Sequence, residues 1–158
     1  MSSIAPPEPA EPFSNWPIQL YDRSVGFAWY VCKGTVVTQI SSQHGTVHTA
    51  NVLSNWLDLL LARHASEIES SKGLLAIHDW RKVKKYDSDA RVAWVERMKH
   101  RREGYLRKAI VVTSPNPLLK MAISGANLVH AFIARSESTI ELATNIAEVL
   151  RKYKVEKP

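Results

Sequence analysis

The densest run of ionisable side chains begins at His78 and Asp79, passes through Arg81, Lys82, Lys84 and Lys85, and ends at Asp87, Ser88 and Asp89. Four bases in five positions repel one another unless something anionic is close. The chemistry this pattern favours is recognition of phosphate or carboxylate groups. Acid–base catalysis has a weaker claim, because no nucleophile, base and orienting group stand at a readable spacing. Asp79 reads as a cap or as the partner of a loop base. His44 and His48 have the i,i+4 spacing of zinc ligands, but His44 precedes the helix expected there and no glutamate follows in the His-Glu-x-x-His manner. The residues therefore point to no metal site and no cofactor. Cys32 sits in a strand-like run and reads as a small buried hydrophobe. The six glycines are scattered and form no phosphate loop.

The basic run belongs to a wider field. Residues 81–108 hold eleven Lys/Arg and four Asp/Glu, a local net of +7, while the rest of the chain holds ten bases and eleven acids, a net of −1. The excess charge is therefore regional, and it concentrates acidic partners at one surface. At 158 residues and 45% hydrophobic side chains the chain fits one domain with a real core. Cys32 is the only cysteine, which excludes an internal disulfide and a multi-cysteine zinc site and points to a reducing, cytoplasmic setting. No basic n-region and apolar h-region open the sequence, and no apolar run reaches the ~20 residues of a membrane span. The expectation is a soluble protein.

Residues 1–17 hold five of the eight prolines, so positions 1–20 read as a disordered tail on which only Phe13 and Trp16 have reason to dock. Phe27 to Val31 and Thr35 to Ile40 are β-rich and read as a hairpin. Thr46 caps a helix whose stripe Ala50, Leu53, Trp56, Leu57, Leu60 and Leu61 runs on to about Ile68. Leu74 to Ile77 and Ala109 to Val112 are continuous apolar runs, the pattern of strands buried on both faces. Between them, Asp87 or Ser88 opens a helix with the stripe Arg91, Trp94, Val95, Met98, Arg102 and Tyr105. Leu118 to about Ala126 reads as a short helix and Leu128 to Ala134 as a last strand or a continued helix. Ser136 then caps a final helix bearing Ile140, Leu142, Ala143, Ile146, Ala147 and Leu150. Strands alternating with helices give an α/β fold with a mixed, largely parallel sheet and about four helices. The domain expected is 21–153, with a C-terminal tail at 154–158.

That order, with Leu74-Leu75-Ala76-Ile77-His78-Asp79-Trp80-Arg81, Tyr86-Asp87-Ser88 and the strand Ala109-Ile110-Val111-Val112, resembles the STAS domain, the SpoIIAA-like fold of anti-sigma-factor antagonists. The resemblance covers roughly residues 25–152 and points to a bacterial branch of that family. It implies a non-catalytic regulatory role and a protein partner, such as a kinase that also serves as the anti-sigma factor. It also implies a phosphorylated serine at the start of the helix, which Ser88 matches. Asp87-Ser88-Asp89-Ala90 departs from the family's Asp-Ser-Ser-Gly, and the loop before it is longer and more basic. The plainer reading of Ser88, as an N-cap, is the favoured one.

Taken together, these readings make Asp79, Trp80, Arg81, Lys82, Lys84, Lys85, Tyr86, Arg101 and Arg102 the expected docking residues for an acidic partner. A solvated face is the plainer account of the helical bases Arg97, Lys99, Arg101 and Arg102, with Glu96 and Glu103 to pair with them. Two other functional classes stay open. One is a carrier or sensor of a small apolar or lipid ligand, in a cavity lined by Trp56, Leu60 and Trp94. The other is binding to nucleic acid or to an anionic membrane surface, without any helix-turn-helix, zinc-finger or RNP-type pattern to support it. The oligomeric state is not legible.

Overall fold

The computed structural model describes residue 5, residues 7–115 and residues 140–158. Six strands form one sheet in the order β1 (Leu20–Asp22), β2 (Gly26–Tyr30), β3 (Thr35–Ile40), β5 (Leu74–Trp80), β7 (Leu106–Thr113) and β8 (Ile140–Ala143). The first three are antiparallel, and β3, β5, β7 and β8 run parallel. A separate two-residue ladder joins β4 (His44–Gly45) to β6 (Lys85–Tyr86). The fold is the expected mixed, largely parallel α/β arrangement, and four of its helices lie among the described residues. These are α1 (Val47–Arg63), α2 (Ala65–Ser70), α3 (Ser88–Lys99) and α4 (Ile146–Lys152). None of the described helices is long and apolar enough to cross a membrane.

The two-residue period of the strands sorts side chains onto two faces. Phe27, Trp29, Val37, Leu75, Ile77, Ile110 and Val112 share one face with Ile146 and Val149 of α4. Tyr30, Val36, Leu74, Ala76 and Ala109 share the other with Leu57 and Leu60 of α1. Parallel strands joined by crossovers of one hand, stepping the same way along the sheet, place α1 and α3 together on this second face.

The proline-rich segment departs from the expected tail. Phe13 is fully buried and Trp16 is 7% exposed, and both pack with Trp29 on the α4 face. Gln39 exchanges two hydrogen bonds with the backbone of Ala10, and the Trp29 indole donates to the Pro17 carbonyl at 2.7 Å. Burying two large aromatic rings outweighs the weak ordering tendency of a proline-rich stretch.

Three other expectations are corrected. The first long helix ends at Arg63, and α2 starts anew beyond His64. Ile140 to Ala143 is a strand pairing with β7, so the last helix begins only at Ile146, where Asn145 Oδ1 caps the Glu148 N–H at 3.1 Å. Cys32 lies past the end of β2 and is exposed, so it is no core residue. The helix expected at 118–126, the strand at 128–134 and the Ser136 cap lie outside the described residues.

Candidate functional site

β5 continues to Trp80, three residues beyond the apolar run, and that length decides the layout of the site. Alternation sends His78 and Trp80 to the face that carries α1 and α3, and Asp79 to the α4 face. His78 and Asp79 are thus neighbours in sequence but not in chemistry. Asp79, 2% exposed, accepts from Arg81 Nε and Nη2, both at 2.8 Å, and from Gln39 Nε2 at 3.0 Å. Arg81 Nη2 also donates to the Glu11 carbonyl at 2.7 Å, tying the proline-rich segment to the loop. The hydrogen bonds it donates to Asp79 hold the guanidinium pKa above its ordinary value, against the burial that lowers it.

The basic loop grows from this fork. Val83 is fully buried, and its N–H closes a turn on the Trp80 carbonyl at 3.0 Å. The N–H groups of Lys84 and Lys85 both donate to the Gln43 carbonyl, at 2.8 and 3.2 Å. Lys85 and Tyr86 then pair with His44 and Gly45. Gly45 is needed there, since a Cβ on it would meet the Tyr86 ring at 2.6 Å. Lys82, Lys84 and Lys85 are exposed on this restrained frame.

The other expected docking residues divide. Trp80 is 7% exposed and its ring lies 5.1 Å from that of half-buried Tyr86, so these two anchor the loop from inside. Arg102 is exposed. Arg101 is turned inward: its side chain is 6% exposed, Nε donates to Asp58 at 2.8 Å and Nη2 to the Ser54 carbonyl at 3.3 Å. Arg97 shares the Asp58 carboxylate at 2.7 Å. Burial raises the pKa of Asp58, but the bonds from Arg101 and Arg97 prevail and hold it below the ordinary carboxylate value. Lys99 pairs with Glu96 at 2.8 Å on the exposed side of α3, so Arg97, Lys99 and Arg101 all have acidic partners within the fold.

Asp87 occupies the N-cap position of α3, and Ser88 is the first helical residue, exposed. The Asp87 side chain makes no capping bond; its Oδ1 meets His44 Nε2 at 2.7 Å. His48 instead meets Ser24 at 3.1 Å, so the two histidines are drawn to different partners. His78, Asp79 and Asp87 are thus bonded to different partners, Thr38, Gln39 with Arg81, and His44.

A cavity lies on the face that carries α1 and α3, lined by His78, Trp80, Tyr86 and Trp94 among others. Of the three residues expected to line one, Trp94 does so. Leu60 is packed into the core with Tyr30 and Val36, and Trp56 is half-buried beside the cluster of Leu53 and Ile40. The sequence reading missed His78 and Met98 as lining residues, although the parity of a longer β5 would have placed His78 there. His78 Nδ1 lies 2.7 Å from the Thr38 hydroxyl. Burial, helped by the Arg101 charge, lowers its pKa to about 4, so it is neutral at neutral pH. Burial likewise pushes the Tyr86 hydroxyl up to about 12, against the Arg91 charge.

No protein-family model and no curated protein matches the chain. Among solved structures it is similar to a protein from Shewanella loihica PV-4 described as an uncharacterized protein from the DUF3478 family with a SpoIIAA-like fold. The two share 13% identity over 75% of this chain and 82% of that one, with a TM-score of 0.48.

Proposed function

We propose that the protein is a non-catalytic regulatory module that docks an acidic protein partner through the loop of residues 81–86. Lys82, Lys84 and Lys85 supply the charge. The observation that carries this reading is the contrast between the exposed lysine side chains and the restrained backbone beneath them. Arg81 is held on Asp79, Val83 is buried, and Gln43 accepts from two successive loop N–H groups. A loop restrained in this way loses little conformational freedom when a partner arrives. Its lysines steer the encounter with an acidic surface and set its salt dependence.

Trp80, Asp79 and Arg101 act in this reading as supports and not as contacts, because each is buried. Arg102 is exposed and extends the cationic surface beyond α3. The reading does not require a phosphate on Ser88. Partner capture by wild type and by a variant with the three lysines reversed to glutamate tests it.

A further inference from the structure

The end of the sheet away from the lysine loop carries a second cationic surface. A groove of ≈ 690 Å³ opens there, bounded by the turn between β2 and β3, the first residues of β5 and β7, and the chain past α4. Lys33, Arg107, Lys152 and Lys154 line it against one acid, Glu156, a net of +3. Lys33, Arg107 and Lys154 are exposed and form no ion pair among the described residues, while Lys152 has Glu141 at 3.7 Å. Leu75 and Tyr153 give the groove an apolar side.

The backbone at this end holds lysine where other residues fit better. Among the described residues, the non-glycine positions with positive φ are Lys33 (47°), Lys72 (61°) and Lys154 (54°). The Thr35 N–H donates to the Cys32 carbonyl at 3.0 Å, closing a turn with Lys33 and Gly34, both left-handed, at its centre. Asparagine is the favoured residue at the place Lys33 takes. α2 and α4 end alike, with Gly73 N–H on the Ile68 carbonyl at 3.0 Å and Val155 N–H on the Leu150 carbonyl at 2.8 Å. That closure leaves Lys72 and Lys154 at the left-handed position glycine usually fills. A lysine there complements the helix dipole, which accounts for Lys72 and Lys154 but not for Lys33 or Arg107. Cations gathered from three chain segments, two of them at strained positions, repel one another unless an anion joins them.

We propose that this groove binds a small organic molecule with an apolar body and at least two negative charges, carried by phosphate or carboxylate groups. Its size falls within the ~300–1,000 Å³ of small-molecule sites. Arg107 offers a planar fork that suits either oxyanion, and the lysines act as point charges around it. Leu75 and Tyr153 receive the body. The site lies at the opposite end of β5 from the docking loop and does not depend on the docking reading.

Calorimetric titration of the full chain at low salt tests it, with terephthalate, phenyl phosphate and benzoate as probes. Terephthalate and phenyl phosphate should each bind at least about tenfold more tightly than benzoate, which has a similar body and a single charge. The tighter of the two dianions tells phosphate from carboxylate. The paired change Lys33→Asn with Lys154→Gly installs the residues that the backbone favours, so it should melt no lower than wild type. It should nevertheless bind either dianion about tenfold more weakly. Arg107→Gln, at an exposed position, should weaken binding too, and it serves as the test if the paired variant misfolds. Reversing Lys82, Lys84 and Lys85 to glutamate should leave the affinity unchanged. No binding of either dianion, equal affinity for benzoate, or wild-type affinity in the groove variants overturns the proposal. So does loss of binding in the lysine-loop variant, which would place the probes on the docking loop.

Discussion

Arg81 closes on Asp79 with a two-pronged contact, Nε to Oδ1 and Nη2 to Oδ2, both at 2.8 Å, and this fork is the base on which the lysine loop stands. Of the two side chains, the carboxylate is 3% exposed and the guanidinium 35%. Planar, charge-assisted pairs of this kind are the strong members of their class. Here the pair also hands one N–H to Glu11, so a single arginine fixes the loop and the proline-rich segment together.

Arg81→Ala should therefore destabilise the protein by roughly 2 kcal/mol, because it leaves a buried carboxylate with Gln39 as its remaining side-chain donor. Urea unfolding measures it. The paired change Asp79→Asn with Arg81→Ala should recover part of that loss, since no unpaired charge is left behind. A single variant as stable as wild type would mean that the fork holds nothing in place.

His78 makes stability depend on pH. An unfolded histidine titrates near 6.5, whereas folded His78 does so at about 4, because it is buried. Between those values the unfolded chain takes up a proton that the folded chain cannot. Stability should thus fall as pH drops from about 6.5 towards about 4, by about 3 kcal/mol for the full shift, and stay flat with respect to this group above 6.5. His78→Gln should flatten that window in urea midpoints measured across pH. Parallel wild-type and variant curves would contradict the assignment.

Phe13 is fully buried against Trp16 and Trp29, with ring centroids at 4.7 and 5.2 Å. Phe13→Ala should cost about 3–4 kcal/mol, as large-to-small changes in a packed core do. Thermal unfolding reads the loss, and tryptophan emission should move to the red as Trp16 and Trp29 meet water. A near-neutral effect would return the segment to the status of a loose tail.

Much of the sheet was legible because its signals are local. The apolar runs at Leu74–Ile77 and Ala109–Val112 became β5 and β7, and the β-rich pair around Gly34 became β2 and β3. What escaped depends on partners distant in sequence. Phe13 and Trp16 order a proline-rich stretch only because Trp29 waits for them. Arg101 lies beyond the end of α3, and its partner Asp58 sits on α1, so no periodicity could turn it inward. Ile140 and Leu142 suit a helix stripe as well as a strand, and pairing with β7 decides between them. The basic loop was visible as charge, but its restraint comes from Gln43 and Gly45, which have no special signature in sequence.

The docking surface is the central claim, and capture of partners from native cells tests it most directly. Wild-type protein and the variant carrying Lys82→Glu, Lys84→Glu and Lys85→Glu are immobilised side by side at matched folding, verified by melting temperature. The account predicts that wild type retains an acidic protein, that rising salt releases it, and that the variant recovers at least about tenfold less. Equal recovery of the same protein by both would contradict the account. Retention of nucleic acid in its place would move the surface to a different class of partner.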